Sequence, residues 1–350
     1  MDTEFWDGKK VLITGHTGFK GSWLSLWLKK LNSKVFGYSK NIPTEPSLFK
    51  LAGIENEINS NFGDIQDLKT LKNLVFDIKP DIIFHMAAQS LVRESYSNPV
   101  ETYLTNVMGT VNILESVKEL SKKCIIVNIT SDKCYENLEL KRGYTEDDRL
   151  GGFDPYSSSK GCAEIISTAY NRSFLSKDEN SKILSSVRAG NVIGGGDWAK
   201  DRLIPDLIKG SFKKNIIKIR NHNAVRPWQF VLEPLNGYLI LAQKMWESGS
   251  EYSGPWNFGP DNIKSRKVSE VIGIFTKEFK ELKIEKINDD KEETNMLLLD
   301  STKSNTKLNW KSKLSFEETM EWTINWYKKY QLNENMKKIT EEQIETFESL

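Results

Sequence analysis

Three glycines, Gly15, Gly18 and Gly21, constrain the fold of this chain more than any other feature. They follow the apolar run 10–14, which predicts a buried parallel strand, and they precede apolar residues at helical spacing. In such a unit the first glycine permits a tight turn, the second lets the backbone approach a pyrophosphate, and the third allows close helix–strand packing. We predict a dinucleotide site lined by Gly15, Thr17, Gly18, Phe19, Lys20 and Gly21; a purely structural turn is the alternative.

Strand and helix patterns alternate through the first half of the chain. Further strands are predicted at 34–38, 81–87, 124–130 and 183–187, and helices at 67–78, 100–120 and 159–175. This alternation predicts an α/β fold built on a doubly wound parallel (Rossmann) sheet.

The regular alternation ends after the glycine-rich turn 194–196. Residues 198–330 mix short strands with helices predicted at 233–246, 267–282 and 316–330, which is typical of a smaller α+β lobe. We expect a cofactor domain over 1–197 and an interlocked substrate lobe over 198–330. The polar tail over 331–350 is expected to be loosely attached.

Charge and composition exclude several classes of partner. Lys and Arg number 49 against 48 Asp and Glu, so no net field attracts nucleic acid or an anionic membrane. The longest uncharged stretch, 102–114, is too short to cross a membrane, and residues 1–10 are too polar for a signal peptide. The cysteines and histidines lack metal-ligand spacing. We expect a soluble cytoplasmic protein with no disulfide, metal, nucleic-acid partner or membrane partner.

The second chemical motif is Tyr156-Ser-Ser-Ser-Lys160 at the start of a predicted helix. Composition alone predicts about one such spacing by chance, so the motif gains its value from its position in the alternating region. One helical turn away, the Lys160 ammonium is expected to lower the phenol pKa of Tyr156. Ser131 ends an earlier strand and is expected to align a substrate hydroxyl. This set predicts proton abstraction from a sugar hydroxyl coupled to hydride transfer to a nicotinamide.

The glycine motif together with Ser131, Tyr156 and Lys160 resembles the extended short-chain dehydrogenase/reductase superfamily. Longer strings, at 15–24, 130–135, 154–164, 188–198 and 226–229, are similar to those of the CDP-glucose 4,6-dehydratase family. The resemblance covers most of the chain. It implies NAD as cofactor, CDP-glucose as substrate and CDP-4-keto-6-deoxy-D-glucose as product, for deoxysugar and surface polysaccharide synthesis. It also implies a homodimer, with the helices at 100–120 and 159–175 as the contacts.

The implied reaction needs two further groups. Oxidation at C4 acidifies the C5 proton, and water is then lost from C6 before C6 is reduced. Asp132 is expected to protonate the departing C6 hydroxyl. Lys133 stands where related dehydratases carry Glu, and we predict that it removes the C5 proton or stabilises the enolate while another group takes that proton. A lysine paired with a surface acid is the alternative.

The end of the strand predicted at 34–38, and Asp64 after a further strand expected before it, bear on the adenosine half of the cofactor. Ser39 and Lys40 replace the usual acidic partner of the ribose, so this position leaves NAD and NADP open. Asp64, followed by Ile65, is predicted to meet the adenine amino group. The alternative for Asp64 is a helix N-cap.

Ala87, Ala88 and Gln89 follow the fourth strand at the edge where ligands bind in such sheets. The two alanines allow close approach to the cofactor, unless they only pack the core. Gln89 is a candidate for contact with sugar hydroxyls. Asn106 is predicted to orient Lys160 through water, with an ordinary helical role as the alternative.

The two phosphates of CDP need fixed cations in a nearly neutral protein. The predicted nucleotide contacts, with surface ion pairs as the alternative for the arginines, are Asn191, Arg202, Arg220 and Arg226. Core packing is favoured over base stacking for Trp198 and Trp228.

Two departures from the family strings bear on substrate preference rather than reaction class. Phe230 occupies a place where His is common, and 293–296 replaces a His-rich stretch. Two other functions stay open. A 4-epimerase or reductase would use the same Ser131, Tyr156 and Lys160 set but needs no acid at C6. A dinucleotide-binding regulator without activity would not need Tyr156 or Lys160, and both are present.

Overall fold

The computed structural model describes residues 2–175, 182–260, 265–287 and 296–350. Seven strands, numbered in chain order, form its central sheet: β1 (Lys10–Thr14), β2 (Lys34–Ser39), β3 (Asn59–Phe62), β4 (Ile82–His85), β5 (Cys124–Ile129), β6 (Lys182–Arg188) and β11 (Gly254–Asn257). All are parallel, in the order β11-β6-β5-β4-β1-β2-β3. The predicted parallel α/β sheet is confirmed.

Thirteen α-helices occur in the described residues. They are α1 (Phe19–Lys30), α2 (Leu48–Leu51), α3 (Leu68–Ile78), α4 (Val92–Ser97), α5 (Pro99–Tyr103), α6 (Gly109–Lys118), α7 (Pro155–Tyr170), α8 (Leu203–Lys213), α9 (Leu232–Ser248), α10 (Val268–Glu278), α11 (Thr302–Lys307), α12 (Phe316–Gln331) and α13 (Met336–Ser349). Short 3₁₀ turns lie at Glu4–Trp6, Ile54–Asn56, Asp132–Cys134 and Gly249–Tyr252. The helix predicted over 100–120 contains a π-helical turn, Leu104–Met108, and a second such turn, Asn171–Leu175, follows α7.

Alternating side chains of the central strands bury both faces of the sheet. In β1, Val11 and Ile13 belong to one apolar cluster, which includes buried residues of α1, α9 and α13. Leu12 between them belongs to a second cluster, with residues of α3 and α6. Helices therefore cover both faces, as a doubly wound sheet requires.

The rest of the chain forms a smaller mixed lobe beside the carboxyl ends of the strands. It contains three two-stranded ladders, whose members are β7 (Val192–Ile193) with β10 (Gln229–Phe230), β8 (Ile216–Ile219) with β13 (Lys283–Lys286), and β9 (Val225–Arg226) with β12 (Arg266–Lys267). Helices α8, α10 and α12 accompany them. The central sheet draws on this half too, because β11 pairs with β6 and α9 packs under β5.

The C-terminal helix α13 is docked rather than loose. Ile344 and Phe347 are fully buried, and Trp27 of α1 donates a hydrogen bond from Nε1 to Glu348 at 2.7 Å. Trp326 of α12 donates to Thr340 at 3.0 Å. The prediction of a loosely attached tail is wrong because its apolar residues repeat at helical spacing and bury one face of α13.

No helix in the described ranges is both long and apolar enough to cross a membrane. Within those ranges, no group of three or more His, Cys, Asp or Glu side chains could hold a metal ion. The three cysteines are free thiols, and Cys124 and Cys134 are buried.

Candidate active site

A cleft of about 970 Å³ opens at the carboxyl ends of the central strands, between the sheet and the smaller lobe. Every residue that the sequence predicts for the site lines this cleft except Asn106. These residues are Gly15, Thr17, Gly18, Phe19, Lys20, Gly21, Asp64, Ile65, Ala87, Ala88, Gln89, Ser131, Asp132, Lys133, Tyr156, Lys160, Asn191, Arg202, Arg220 and Arg226. Segments far apart in the chain thus meet at one sheet edge, where parallel α/β folds bind ligands.

The glycine motif forms a bare backbone cradle at one end of the cleft. Gly15 has a φ of +78°, and a Cβ there would lie 2.8 Å from the Ala87 nitrogen. A Cβ on Gly21 would overlap the Gly15 carbonyl oxygen, so α1 packs directly on the turn. Gly18 is the N-cap of α1, and Gly18, Phe19 and Lys20 at the start of this helix line the cleft.

A single 3₁₀ turn after β5 carries Ser131, Asp132 and Lys133. Ser131 is its N-cap, accepts a hydrogen bond from the Lys133 amide at 3.2 Å and donates one from Oγ to Asp132 Oδ1 at 2.9 Å. Asp132 is buried, and its carboxylate lies against Gly190, where a Cβ would overlap it. Only glycine at position 190 leaves room for this carboxylate.

Lys133 lines the cleft, and no described residue accepts a hydrogen bond from its amine or forms an ion pair with it. The alternative of a lysine paired with a surface acid is therefore not supported. Lys133 and Asp132 line the same cleft.

Tyr156 and Lys160 lie one turn apart on α7, which begins four residues earlier than the sequence predicts. Asp154 is the N-cap, accepts from the Ser157 amide at 2.9 Å, and is followed by Pro155 at the first helical position. Burial raises the pKa of Tyr156 to about 12, against hydrogen bonding with Ser131 and the charge of Arg202, which lower it.

The Lys160 side chain is fixed by a hydrogen bond to the backbone of β5. Its amine donates to the Ile129 carbonyl oxygen at 3.1 Å. Burial lowers the pKa of Lys160 to about 8, opposed by the charge of Glu164. Ser131 and Arg202 are the groups that lower the Tyr156 pKa here, and the expected contribution of Lys160 stays a prediction.

Lys20 is a second amine with an unusual environment. Burial and, to a smaller extent, the neighbouring charges of Lys160 and Arg202 lower its pKa to about 7, whereas the charge of Asp132 opposes them. The inner cleft thus gathers three cationic side chains, Lys20, Lys160 and Arg202, against two carboxylates, Asp132 and Asp197. Such an excess of positive charge favours an anionic ligand.

At the adenosine end, the polar groups pair with one another. Ser39 Oγ lies 2.8 Å from His16 Nδ1, and Lys40 forms an ion pair with Asp64 at 2.9 Å. The N-cap of α3 is Asp67, which accepts from the Thr70 amide at 3.1 Å. The N-cap alternative for Asp64 is therefore wrong, and its carboxylate lies in the cleft.

The Asn106 side chain hydrogen-bonds to Gln89 and to Ser159 of α7. Its amide nitrogen donates to the Gln89 carbonyl oxygen at 3.0 Å and to Ser159 Oγ at 2.8 Å, and its Oδ1 accepts from the Gln89 amide. Asn106 thus ties the Gln89 loop to α7, and its water-mediated role toward Lys160 stays a prediction. The Gln89 side chain donates to Thr102 and to the Leu91 carbonyl oxygen.

The arginines fall at two depths. Arg202 pairs with Asp197 at 3.1 Å and donates to Ser90 at 3.0 Å, and its charge reaches Tyr156. Arg220 and Arg226 lie farther along the lobe. Asp197 and Ser90 were missed from the sequence, although Asp197 stands in the string 188–198 that carries the resemblance.

Bulky side chains predicted as core are buried. Trp198 packs edge-on against Tyr327 and Tyr330, and Trp228 is also buried. Phe230 is fully buried against Trp23 and does not line the cleft, so its departure from the family string lies in the core. Of the second departure, residues 293–295 fall outside the described residues.

Comparison with known proteins agrees with this geometry. A family model for GDP-mannose 4,6 dehydratase matches residues 12–323. A CDP-glucose 4,6-dehydratase of Salmonella typhimurium is 46% identical over 96% of this chain and 95% of its own. Two solved structures share the fold. The UDP-glucose 4-epimerase of Thermotoga maritima has a TM-score of 0.81 at 18% identity over 92% of this chain and 99% of its own. The dTDP-glucose 4,6-dehydratase of Bacillus anthracis, in complex with NAD, has a TM-score of 0.76 at 23% identity over 92% and 97%.

The Rossmann sheet with Ser131, Tyr156 and Lys160 at its carboxyl edge defines an extended short-chain dehydrogenase/reductase. Within that class, the chain belongs to the GDP-mannose 4,6-dehydratase family of enzymes.

Proposed function

We propose that this chain is an NAD-dependent CDP-glucose 4,6-dehydratase, a hydro-lyase that converts CDP-D-glucose to CDP-4-keto-6-deoxy-D-glucose. The observation that carries the proposal is the Asp132–Lys133 turn, which lies in one cleft with Ser131, Tyr156 and Lys160. The 46% identity to a CDP-glucose 4,6-dehydratase along nearly the full length supports the same substrate.

The glycine cradle fits a dinucleotide. The absence of side chains at Gly15, Gly18 and Gly21 leaves backbone N–H groups of α1 open to a pyrophosphate, and Lys20 supplies a cation beside them. Bound NAD would supply the acceptor for the hydrogen at C4 and return it at C6, so that no net oxidation results. Solved structures of this fold from Thermus thermophilus and Bacillus anthracis are described with NAD.

The first step falls to Tyr156 and Ser131. The Tyr156 oxygen takes the proton of the C4 hydroxyl, and Ser131 Oγ aligns that hydroxyl. Ser131 and Arg202 oppose the effect of burial on the phenol pKa, so they favour the phenolate that this step needs. Lys160 lies one turn along α7 and lines the same cleft.

Elimination falls to the turn that follows β5. The buried Asp132 carboxyl protonates the C6 hydroxyl as its bond to carbon breaks, so that water leaves. Lys133, whose amine has no partner among the described side chains, removes the C5 proton or holds the charge of the enolate. Simple epimerisation at C4 needs neither group.

Nucleotide binding is assigned to the cations of the smaller lobe. Arg220, Arg226 and Asn191 lie on the lobe side of the cleft, and guanidinium groups bind phosphates through paired hydrogen bonds. Arg202 lies deeper, beside Tyr156, where it meets the hexose end of the substrate.

Incubation of the purified protein with CDP-glucose and NAD tests this function. We expect a product with the base-induced ultraviolet absorbance of a 4-keto-6-deoxy sugar. The Tyr156→Phe variant should form none, and Asp132→Asn should oxidise C4 without losing water. Unchanged CDP-glucose, with turnover of another nucleotide-hexose, would refute the substrate, and formation of a C4 epimer would assign the chain to the epimerases instead.

We further propose a homodimer and a cytoplasmic place in deoxysugar synthesis for surface polysaccharide. Large apolar side chains that suit burial against a second copy are exposed on α5, on α7 and on the π-helical turns 104–108 and 171–175: Val100, Tyr103, Leu104, Met108, Ile165 and Phe174. Free buried thiols are compatible with a reducing compartment.

A further inference from the structure

A buried ion pair lies behind the turn that carries Asp132. Arg188 of β6 donates from Nε to Glu164 Oε1 at 3.0 Å and from Nη2 to Oε2 at 2.9 Å. Both side chains are 2% exposed, and neither lines the cleft. Burial of two charges costs free energy, which further hydrogen bonds must offset. The partners in these hydrogen bonds show which segments the ion pair contacts.

Both ends of the catalytic turn are fastened to this ion pair. Thr130, just before the turn, donates from Oγ1 to Glu164 Oε1 at 2.5 Å. Tyr135, just after it, accepts from Arg188 Nη1 at 2.6 Å, and the guanidinium also lies 4.7 Å from the centre of its ring. Residues 131–134 thus lie between two residues that hydrogen-bond to the ion pair. This support matters because an isolated 3₁₀ turn has little stability of its own.

We propose that Glu164 and Arg188 form a positioning pair that holds Asp132 and Lys133 in register with Tyr156 and Lys160. Glu164 lies on α7 one turn beyond Lys160, so the same helix that carries the C4 chemistry anchors the turn that carries the elimination. This role rests on the proposed function, because it concerns the distance between the groups of its two steps. Neither residue touches the reacting atoms.

Matched hydroxyl deletions separate positioning from stability. Thr130→Val and Ser186→Ala each remove one hydrogen bond to the Glu164 carboxylate, and Ser186 donates to Oε2 at 2.5 Å. Only Thr130 adjoins the turn, since Ser186 lies within β6. Tyr135→Phe removes the hydrogen bond from Arg188 at the other end and keeps the ring.

We expect Thr130→Val and Tyr135→Phe to lower kcat for CDP-glucose about tenfold or more, with KM changed less than about twofold. Because the turn supplies the acid, reduced dinucleotide should accumulate in single turnovers of these variants. Ser186→Ala should keep kcat within about twofold of the wild type. Equal losses in Thr130→Val and Ser186→Ala would overturn the proposal and leave a purely structural pair.

Hydrogen exchange followed by mass spectrometry decides the same question without turnover. Thr130→Val and Tyr135→Phe should speed exchange of the amides of 132–135, and Ser186→Ala should not. Unchanged exchange in the first two variants would overturn the positioning role. A wild type inactive on CDP-glucose would refute the proposed function alone, since the exchange result stands by itself.

Discussion

At the residue scale, charge in the inner cleft depends on which amines are protonated. Lys20, Lys160 and Arg202 lie near the carboxylates of Asp132 and Asp197, and burial has lowered the pKa of Lys20 to about 7 and that of Lys160 to about 8. Such groups release protons in the physiological range, whereas Arg202 stays charged. The affinity of this cleft for anions should therefore change with pH.

Cofactor binding should take up a proton through Lys20. An anionic pyrophosphate favours the charged amine, so NAD should bind more weakly as pH rises above about 7, by up to tenfold per pH unit. Calorimetry in buffers of different ionisation enthalpy measures the uptake. Lys20→Met should abolish most of it, with Lys160 contributing at higher pH.

Lys40→Met serves as the control for Lys20, because hydrogen bonds to Asp64 and Glu101 raise the pKa of Lys40 and keep it protonated through this range. The same proton uptake in the wild type and in Lys20→Met would contradict the assignment.

Substitution of Lys133 distinguishes its two candidate roles. Lys133→Ala should lower kcat about 100-fold or more while C4 oxidation persists, since proton transfer contributes factors of this size. Lys133→Arg keeps the charge but cannot accept a proton. Recovery of turnover in Lys133→Arg would identify a cation that stabilises the enolate; no recovery would identify the base. Full turnover of Lys133→Ala would refute any catalytic role.

Gly190→Ala should strongly lower kcat, because the added Cβ would overlap the Asp132 carboxylate and displace it. A displacement of about 1 Å can cost about 100-fold in rate. Gly273→Ala in α10 is the matched control, since nothing lies within 4 Å of its Cβ. It should preserve kcat. Steady-state rates on both variants, beside circular dichroism spectra, would check this; normal kcat in Gly190→Ala would show that Asp132 tolerates the shift.

At the element scale, helix α13 illustrates how an apparently polar segment becomes part of the core. Its sequence is dominated by Lys, Glu and Thr, and its apolar residues are few but lie on one face. That face buries Met336, Ile339, Ile344 and Phe347 against α1 and α12. The packing of α13 against α1 joins the last α-helix of the structure to the first.

Phe347→Ala should lower the free energy of unfolding by about 3–5 kcal/mol, because the ring is fully buried beside Trp27. Leu350→Ala, at a side chain that is 60% exposed, should change it by less than about 0.5 kcal/mol. Denaturant titration measures both. A small effect of Phe347→Ala would mean that α13 detaches without cost.

At the scale of the whole molecule, one feature left open on the surface is the apolar face formed by exposed side chains of α5, α7 and the π-helical turns 104–108 and 171–175. Ile165 of this face lies on α7, the helix that carries Tyr156 and Lys160. A second copy bound there would therefore support the site from outside. Large exposed apolar patches mark protein–protein contacts.

Charge on this face should dissociate the dimer. The wild type should sediment at twice the chain mass of 40.2 kDa, and the double variant Met108→Glu, Ile165→Glu should sediment at the chain mass, because buried unpaired carboxylates oppose association. Leu332→Glu, at an exposed residue of another surface, is the control. A dimer that survives the double variant would place the interface elsewhere.

Local patterns were sufficient for much of the architecture. The parallel strands, the glycine turn and most helices depend on periodicity and on steric rules that act between near neighbours in the chain. The early start of α7 was also readable, since Asp154-Pro155 is an N-cap followed by proline. The set of residues gathered in the cleft follows from the same rules, because parallel strands end at one edge.

The sequence by itself determined the class of fold, the glycine cradle and the residue types available for oxidation and elimination. Only the tertiary structure decided which partner each polar group has. Lys160 is bonded to Ile129, Asn106 to Ser159, and Arg188 to Glu164, and Phe230 lies in the core. The physical reason is that strand and helix patterns arise from neighbours in the chain, whereas these contacts depend on how distant segments pack.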